Sequence, residues 1–209
     1  MVRTIILAGA DIDDYAWLRS RINDDDNIIC ADSGLRHANA VGVKPDIIIG
    51  DMDSVEPEML DDYKTSSKII HDIDQNSTDL MKALAVCDTS MPIDIYGASG
   101  GRADHDFSNI LTLMNLKSPN QVSLISNNEL RRVVTGEYVL QGRKGDYVGV
   151  FPLKPIENFK VSGLQYTPDV LGGPYEFGWN GACNVMVQDT VTISLSSGLV
   201  LITHSATNP

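Results

Sequence analysis

Short apolar runs alternate with stretches of helical period over the first 127 residues. The runs are TIILAG (4–9), NIICAD (27–32), DIIIGD (46–51), SKIIHD (67–72), PIDIYG (92–97) and QVSLIS (121–126). Each is brief, most are rich in Ile, and each ends at Gly, Asp or Ser, the pattern of a strand buried on both faces. Residues 13–22, 34–42, 56–65, 77–88 and 105–116 are predicted as helices. Within 77–88, Leu80, Leu84 and Cys87 recur at helical spacing, with Ser77 as the expected N-cap and Asp79 in the favourable first turn. Strand–helix alternation predicts a mainly parallel sheet covered on both faces. In such sheets ligands gather where strands end and helices begin.

The pattern changes near residue 127, after which no helix is predicted. RRVVTGEYVLQG, DYVGVFPL, CNVMVQD and TVTISLSSGLVLITH read as strands with glycine-containing turns, and Val191, Ile193 and Leu195 alternate with Thr192 and Ser194. The stretch 163–182, rich in Gly, Pro and aromatics, reads as a long loop of the kind that carries function. The expected organisation is an α/β domain over 1–127 and an all-β domain over 128–209.

Composition narrows the function classes. The chain has 209 residues, 43% hydrophobic and 21% charged, with a formal net charge of −12. That average field repels nucleic acid and anionic membranes, but carboxylates can gather a divalent cation that neutralises a phosphate ligand. Cys30, Cys87 and Cys183 are far apart, which argues against a disulfide framework or a zinc site and for a reducing compartment. No run has the length of a membrane span, and the N-terminal apolar run meets Asp11, Asp13 and Asp14 too soon for a secretory signal. A cytoplasmic protein is expected.

Three constellations follow strand runs. In Gly50-Asp51-Met52-Asp53-Ser54, two carboxylates spaced two apart in extended chain would face one side and could share Mg²⁺; a strand-end turn with Asx hydrogen bonds is the ordinary alternative. Asp74-Gln75-Asn76-Ser77-Thr78-Asp79 leads into a helix, where free amides attract anions and where Ser, Thr and Asp are also common caps. Gly97 to His105 (GASGGRADH) combines glycines that let amides approach phosphate with Arg102, whose planar fork Asp104 could hold. It is neither a Walker A loop nor G-x-G-x-x-G. Asp32, in ADSG, also ends a strand run. His37, His71 and His204 show no metal-site spacing, and His105 reads first as a structural residue. Tyr166, Tyr175, Phe177 and Trp179 form either an aromatic-ring pocket or the β-domain core.

ADSG, GVKPDIIIGDMDS, DQNSTD and GASGGRADH, in this order over roughly residues 30–110, resemble the thiamine pyrophosphokinase family; GDYVGVFPL, GLQY and CN resemble its second domain more loosely. The resemblance implies pyrophosphoryl transfer from ATP to the hydroxyl of thiamine, releasing AMP, with Mg²⁺. It implies an N-terminal α/β catalytic domain, a C-terminal β-sandwich and a homodimer, with thiamine between the first domain of one subunit and the β domain of the other. Asp51, Asp53 and Asp79 would be the metal ligands and, with Arg102, the catalytic set. Asp32, Ser54, Gly100, Gly101, Arg102, Asp104 and His105 would form the ATP side, and Gln75, Thr78, Asp79, Tyr166, Trp179, Cys183 and Asn184 the thiamine side. Cys183 stands where the family has the serine of a Ser-Asn pair, and GGPYEFGWNG has no clear counterpart. The catalytic half alone leaves open another Mg²⁺-dependent pyrophosphokinase, a nucleoside-polyphosphate hydrolase, or a non-catalytic nucleotide or thiamine sensor.

Overall fold

The computed structural model describes residues 3–207. The chain divides into two compact units, Met1–Thr112 with Leu124–Asn127, and Leu113–Ser123 with Asn128–Pro209.

In the first unit the Ile-rich runs form β1 (Thr4–Leu7), β2 (Asn27–Ala31), β3 (Ile47–Gly50), β4 (Lys68–His71), β5 (Ile93–Tyr96) and the second half of β6 (Val122–Ile125), in the order β6-β5-β1-β2-β3-β4. The pairings β5–β1, β1–β2, β2–β3 and β3–β4 are all parallel. The intervening helices are α1 (Tyr15–Ser20), α2 (Leu35–Val41), α3 (Pro57–Tyr63), α4 (Asp79–Ala85) and α5 (Ala103–Met114). The first four fall inside the ranges the periodicity places them in, with their ends trimmed by local chemistry, and α5 lies two residues earlier than the expected 105–116. Asp14 caps α1 by accepting from the Trp17 amide, and Gly42, at φ 67°, ends α2 in the left-handed conformation that favours glycine. Ile5, Leu7, Leu18, Ile28, Leu35 and Ile48 pack into one core on one face of the sheet.

Ser77 is not the cap of α4. Its hydroxyl donates to Asp74 Oδ2 at 2.8 Å, so Thr78 takes the position, accepting from the Met81 amide, and the helix starts at Asp79.

The second unit contains β7 (Glu129–Val134), β8 (Glu137–Gln141), β9 (Tyr147–Glu157), β10 (Lys160–Ser162), β11 (Gly181–Val185), β12 (Thr190–Ser194) and β13 (Ser197–Ser205). β11-β9-β13-β7 form one antiparallel layer and β10-β12-β8 another. Val148, Val150, Val200 and Ile202 of the first layer pack with Leu140, Val191 and Ile193 of the second, the arrangement of a β-sandwich. TVTISLSSGLVLITH is two strands in different layers, because Leu195 and Ser196 leave β12 to donate to the Gly136 and Glu157 carbonyls. One expectation needs correction. The stretch 163–182 is not wholly loop: Pro168–Leu171 forms a single turn, α6. No helix among the described residues is long and apolar enough to cross a membrane.

Candidate active site

The carboxyl ends of β2 and β3 bring three acids together. Asp32 follows β2 at φ 45°, a conformation Asp tolerates better than most side chains. Gly50 closes β3 against it: a Cβ on Gly50 would lie 2.8 Å from the Asp32 Cβ, so only glycine lets the two strand ends approach. Asp51 and Asp53 do not lie in extended chain as expected. Met52, at φ 62°, turns the backbone, and the Asp53 amide donates to Asp51 Oδ1 at 3.3 Å. The Asx turn and the shared face therefore coexist. Carboxylate oxygens of Asp32, Asp51 and Asp53 lie within 4.8 Å of one another.

The electrostatics of the triad are uneven. Burial, opposed by the Ser33 amide and reinforced by the charges of Asp79, Asp51 and Asp53, pushes the Asp32 carboxyl up. The Asp53 amide and the Gln75 side chain hold Asp51 down. Asp32 Oδ1 is buried with no hydrogen-bond partner. Three converging carboxylates, with an unpartnered oxygen on one of them, form a hard donor set that could hold a cation such as Mg²⁺ alongside water and phosphate oxygens. The compact triad contains Asp32 where the sequence placed Asp79.

The β4–α4 segment supplies the next wall. Asp74 accepts from the Asn76 amide at 3.0 Å, the Asn76 side chain at 2.9 Å and the Ser77 hydroxyl. Gln75 Nε2 donates to Asp51 Oδ2 at 3.1 Å, and His71 Nε2 donates to the Asp51 carbonyl at 2.9 Å, so the loop is fastened to the acid cluster. Asp79 Oδ1 lies 3.5 Å from Lys82 Nζ.

After β5, Gly97 at φ 68° turns the chain against the end of β1. A Cβ there would lie 2.4 Å from the Ala8 carbonyl oxygen, and the Gly97 carbonyl accepts from the Ala10 amide at 2.7 Å. Gly100 and Gly101 are also at positive φ. Arg102 grips Asp104 with two bonds, Nε to Oδ1 at 3.1 Å and Nη2 to Oδ2 at 2.5 Å, which hold the Asp104 carboxyl down at about 2. Arg36 of α2 donates to the Gly9 carbonyl and to Asp11, both at 2.7 Å. The adjacent His37, fully buried, places Nε2 2.9 Å from the Ala10 carbonyl and Nδ1 2.9 Å from the Tyr15 hydroxyl.

These elements surround a cavity of about 570 Å³. Of the expected residues, Asp32, Asp51, Ser54, Gln75, Thr78, Asp79, Gly101, Arg102 and His105 line it. Asp53 joins through the triad and Asp104 through Arg102, while Gly100 adjoins the lining. Sequence reasoning missed Lys82, Arg36 and Asn109, which also line the cavity. Lys82 carried a signal, its position one turn after Asp79; Arg36 and Asn109 carried none.

The thiamine-side residues of the second unit group differently. Tyr166, Trp179 and Asn184 line a crevice whose open space is about 10 Å³, no more than one water. Buried Asn184 accepts from the Tyr166 amide at 3.0 Å and donates to its carbonyl at 2.6 Å, fixing Tyr166 while its ring stays exposed. Trp179 meets Tyr175 edge-on at 5.1 Å, and Tyr175 meets Phe159 likewise. Phe177 is 71% exposed, so these aromatics are not simply the sandwich core. Cys183 is exposed, at φ 60°, and does not line the crevice.

Comparison with known proteins matches this arrangement. The sequence model of the thiamin pyrophosphokinase catalytic domain matches residues 18–125, and that of the thiamin pyrophosphokinase vitamin B1 binding domain matches 137–200. Thiamine pyrophosphokinase 1 of Oryza sativa subsp. japonica is 30% identical over 172 residues, 75% of this chain and 65% of the relative. Thiamine pyrophosphokinase 1 of Arabidopsis thaliana is 29% identical over 174 residues, 75% of this chain and 64% of the relative. The chain thus spans just under two thirds of the length of these relatives. In structure, thiamine pyrophosphokinase from Bacillus subtilis superposes with a TM-score of 0.82 at 22% identity, covering 100% of both chains. Thiamin pyrophosphokinase from Candida albicans gives 0.75 at 19% identity, covering 98% of this chain and 90% of the other. Those two likenesses establish the fold, and the catalytic-domain match, covering more than half of the sequence, establishes that the chain belongs to the thiamin pyrophosphokinase family.

Proposed function

We propose that the protein transfers the pyrophosphoryl group of ATP to the hydroxyl of thiamine, giving thiamine pyrophosphate and AMP. The observation that carries this reading is the convergence on one cavity of a three-acid cluster, a glycine turn bearing an arginine fork, and a polar loop ahead of a capped helix.

Each element has a task in that reaction. Asp32, Asp51 and Asp53 would hold Mg²⁺, which when bound neutralises polyphosphate charge and polarises the attacked phosphorus. The amides of the Gly97–Gly101 turn and the guanidinium of Arg102 grip the polyphosphate, with Asp104 setting the fork. Gln75, tied to Asp51, and Thr78, at the start of α4, face the acceptor. Asp79 orients the attacking hydroxyl or takes its proton, which keeps hydroxyl oxygen and β-phosphorus in line. Most of the rate then comes from positioning and charge stabilisation, as in other phosphoryl transfers. Tyr166 and Trp179 offer aromatic surface to a cationic ring, Asn184 sets Tyr166, and Cys183 takes the place of the family's serine. The crevice holds no ring as it stands, so thiamine would stack on the exposed face of Tyr166 rather than enter the crevice. A homodimer, in which a second subunit completes the acceptor pocket, belongs to the same reading, as does a cytoplasmic location.

Mass analysis of products from ATP and Mg²⁺, with and without thiamine, tests the proposal. Thiamine pyrophosphate and AMP in equal amounts support it. AMP or ADP formed equally without thiamine would make the protein a polyphosphate hydrolase, and tight binding without turnover a sensor.

A further inference from the structure

Lys82 lines the cavity, yet neither the sequence motifs nor the mechanism above uses it. It is 4% exposed, in a class of residue that is almost never buried without a partner. Its ammonium has three donors. One is well used, donating to the Asp72 carbonyl at 2.9 Å, and the contact to Asp79 Oδ1 is long at 3.5 Å. Such a group adds little stability, since an apolar side chain of equal size in its place is commonly neutral or better. Its partners suggest another reason for its presence. Asp72 is where the chain leaves β4, its amide still bound to the Gly50 carbonyl, and Asp79 is where α4 begins. Lys82 therefore joins the two ends of the loop that carries Asp74, Gln75 and Thr78. The other two cations lining the cavity are committed to exposed carboxylates, Arg36 to Asp11 and Arg102 to Asp104. Lys82 stands alone as the buried one, and its charge also favours the ionised forms of Asp51 and Asp74.

We infer that Lys82 is a positioning residue for the acceptor side of the site, closing the 72–79 loop and setting the Asp79 carboxylate toward the cavity. The inference rests on the reading of that cavity as a pyrophosphokinase site, and it adds a residue that acts through Asp79 and the loop rather than on phosphate.

The test uses Lys82→Met, Asp79→Asn and the double variant in the full chain. Lys82→Met should melt at or above the wild-type temperature. Its kcat/KM for thiamine should fall about 10- to 100-fold, the usual cost of losing a supporting partner, while KM for ATP stays within about twofold. The double variant should be no slower than Asp79→Asn alone, because the two residues act as a unit. Wild-type kcat/KM in Lys82→Met, a loss that adds to that of Asp79→Asn, or an activity loss that tracks a fall in melting temperature would each overturn the inference. Hydrogen exchange supplies a readout independent of turnover: the amides of Asp74 and Asn76 should exchange faster in Lys82→Met, with those of β1 to β3 unchanged. If the wild type forms no thiamine pyrophosphate, the pyrophosphokinase reading falls, and unchanged exchange at Asp74 and Asn76 would then dispose of the loop role as well.

Discussion

Replacing Asp32 by Asn should make the cation-free protein more stable and the cation-loaded protein less so. Without a cation, Asp32 Oδ1 is buried with no donor, beside the carboxylates of Asp51 and Asp53. A buried acceptor left unsatisfied costs about 1–3 kcal/mol, more when charged. Asparagine removes the charge, keeps the shape and, with its amide nitrogen at the Oδ1 position, replaces the orphaned acceptor by a donor beside the Asp51 and Asp53 carboxylates; it also suits the φ of 45° at this position, so the substitution introduces no backbone strain. A gain of about 1–3 kcal/mol, at about 2–4 °C per kcal/mol for a chain of this size, is a rise of several degrees in chelator. Mg²⁺ reverses the order. Wild type at a hundred times its dissociation constant gains about 2.7 kcal/mol by mass action, and the variant, having lost one of three ligands, gains much less. Melting curves of both proteins in chelator and across a Mg²⁺ titration, followed by calorimetry, should therefore cross. An Asp32→Asn protein that melts below wild type in chelator, or a wild type indifferent to Mg²⁺, would refute the reasoning that the triad is built around an ion.

Further outcomes follow from the same geometry. Asp51→Asn and Asp53→Asn should each lower turnover at least about a hundredfold, and near-wild-type AMP release in a steady-state assay would remove the acids from the reaction. Arg102→Lys keeps the charge but loses the two-pronged grip on Asp104; KM for ATP should rise about tenfold with a smaller change in KM for thiamine, and equal changes in both would assign Arg102 elsewhere. In the second unit burial acts to raise the Asp146 carboxyl, yet bonds from His204, the Arg143 amide and the Thr207 amide hold it at about 2, below its ordinary 3.8. A depressed carboxyl stabilises the fold above 3.8 and loses that contribution as pH falls toward 2; it amounts to about 2 kcal/mol. Urea unfolding monitored at Trp179 should show that acid-side loss in wild type and not in Asp146→Asn, and parallel profiles would contradict it.

Some of this protein could be read from its residues one segment at a time. Runs such as DIIIGD are apolar on both faces and can be satisfied only inside a covered sheet, and period-two Val191, Ile193 and Leu195 require a half-buried strand. The strand-end positions of Asp32, Asp51 and Arg102 followed from that, because a parallel sheet presents its carboxyl ends on one edge. Other features depend on competition between neighbours. Ser77 and Thr78 are equally good caps by type, and only the Asp74 carboxylate, by engaging Ser77, decides between them. Asp51 and Asp53 meet through a turn at Met52, a positive-φ residue that nothing in its side chain announces.

The order of apolar runs, helical stretches and glycine-marked turns was enough to determine an α/β unit followed by an all-β unit, since burial of each face follows from local periodicity. Which acids converge on one point, and which lysine closes the loop beside them, was decided only by tertiary structure. Asp32 and Asp51 are brought together by the absence of a side chain on Gly50, and Lys82 by the return of α4 over the end of β4. Such contacts join positions distant in the chain, and their energies depend on distance and burial that no single segment contains.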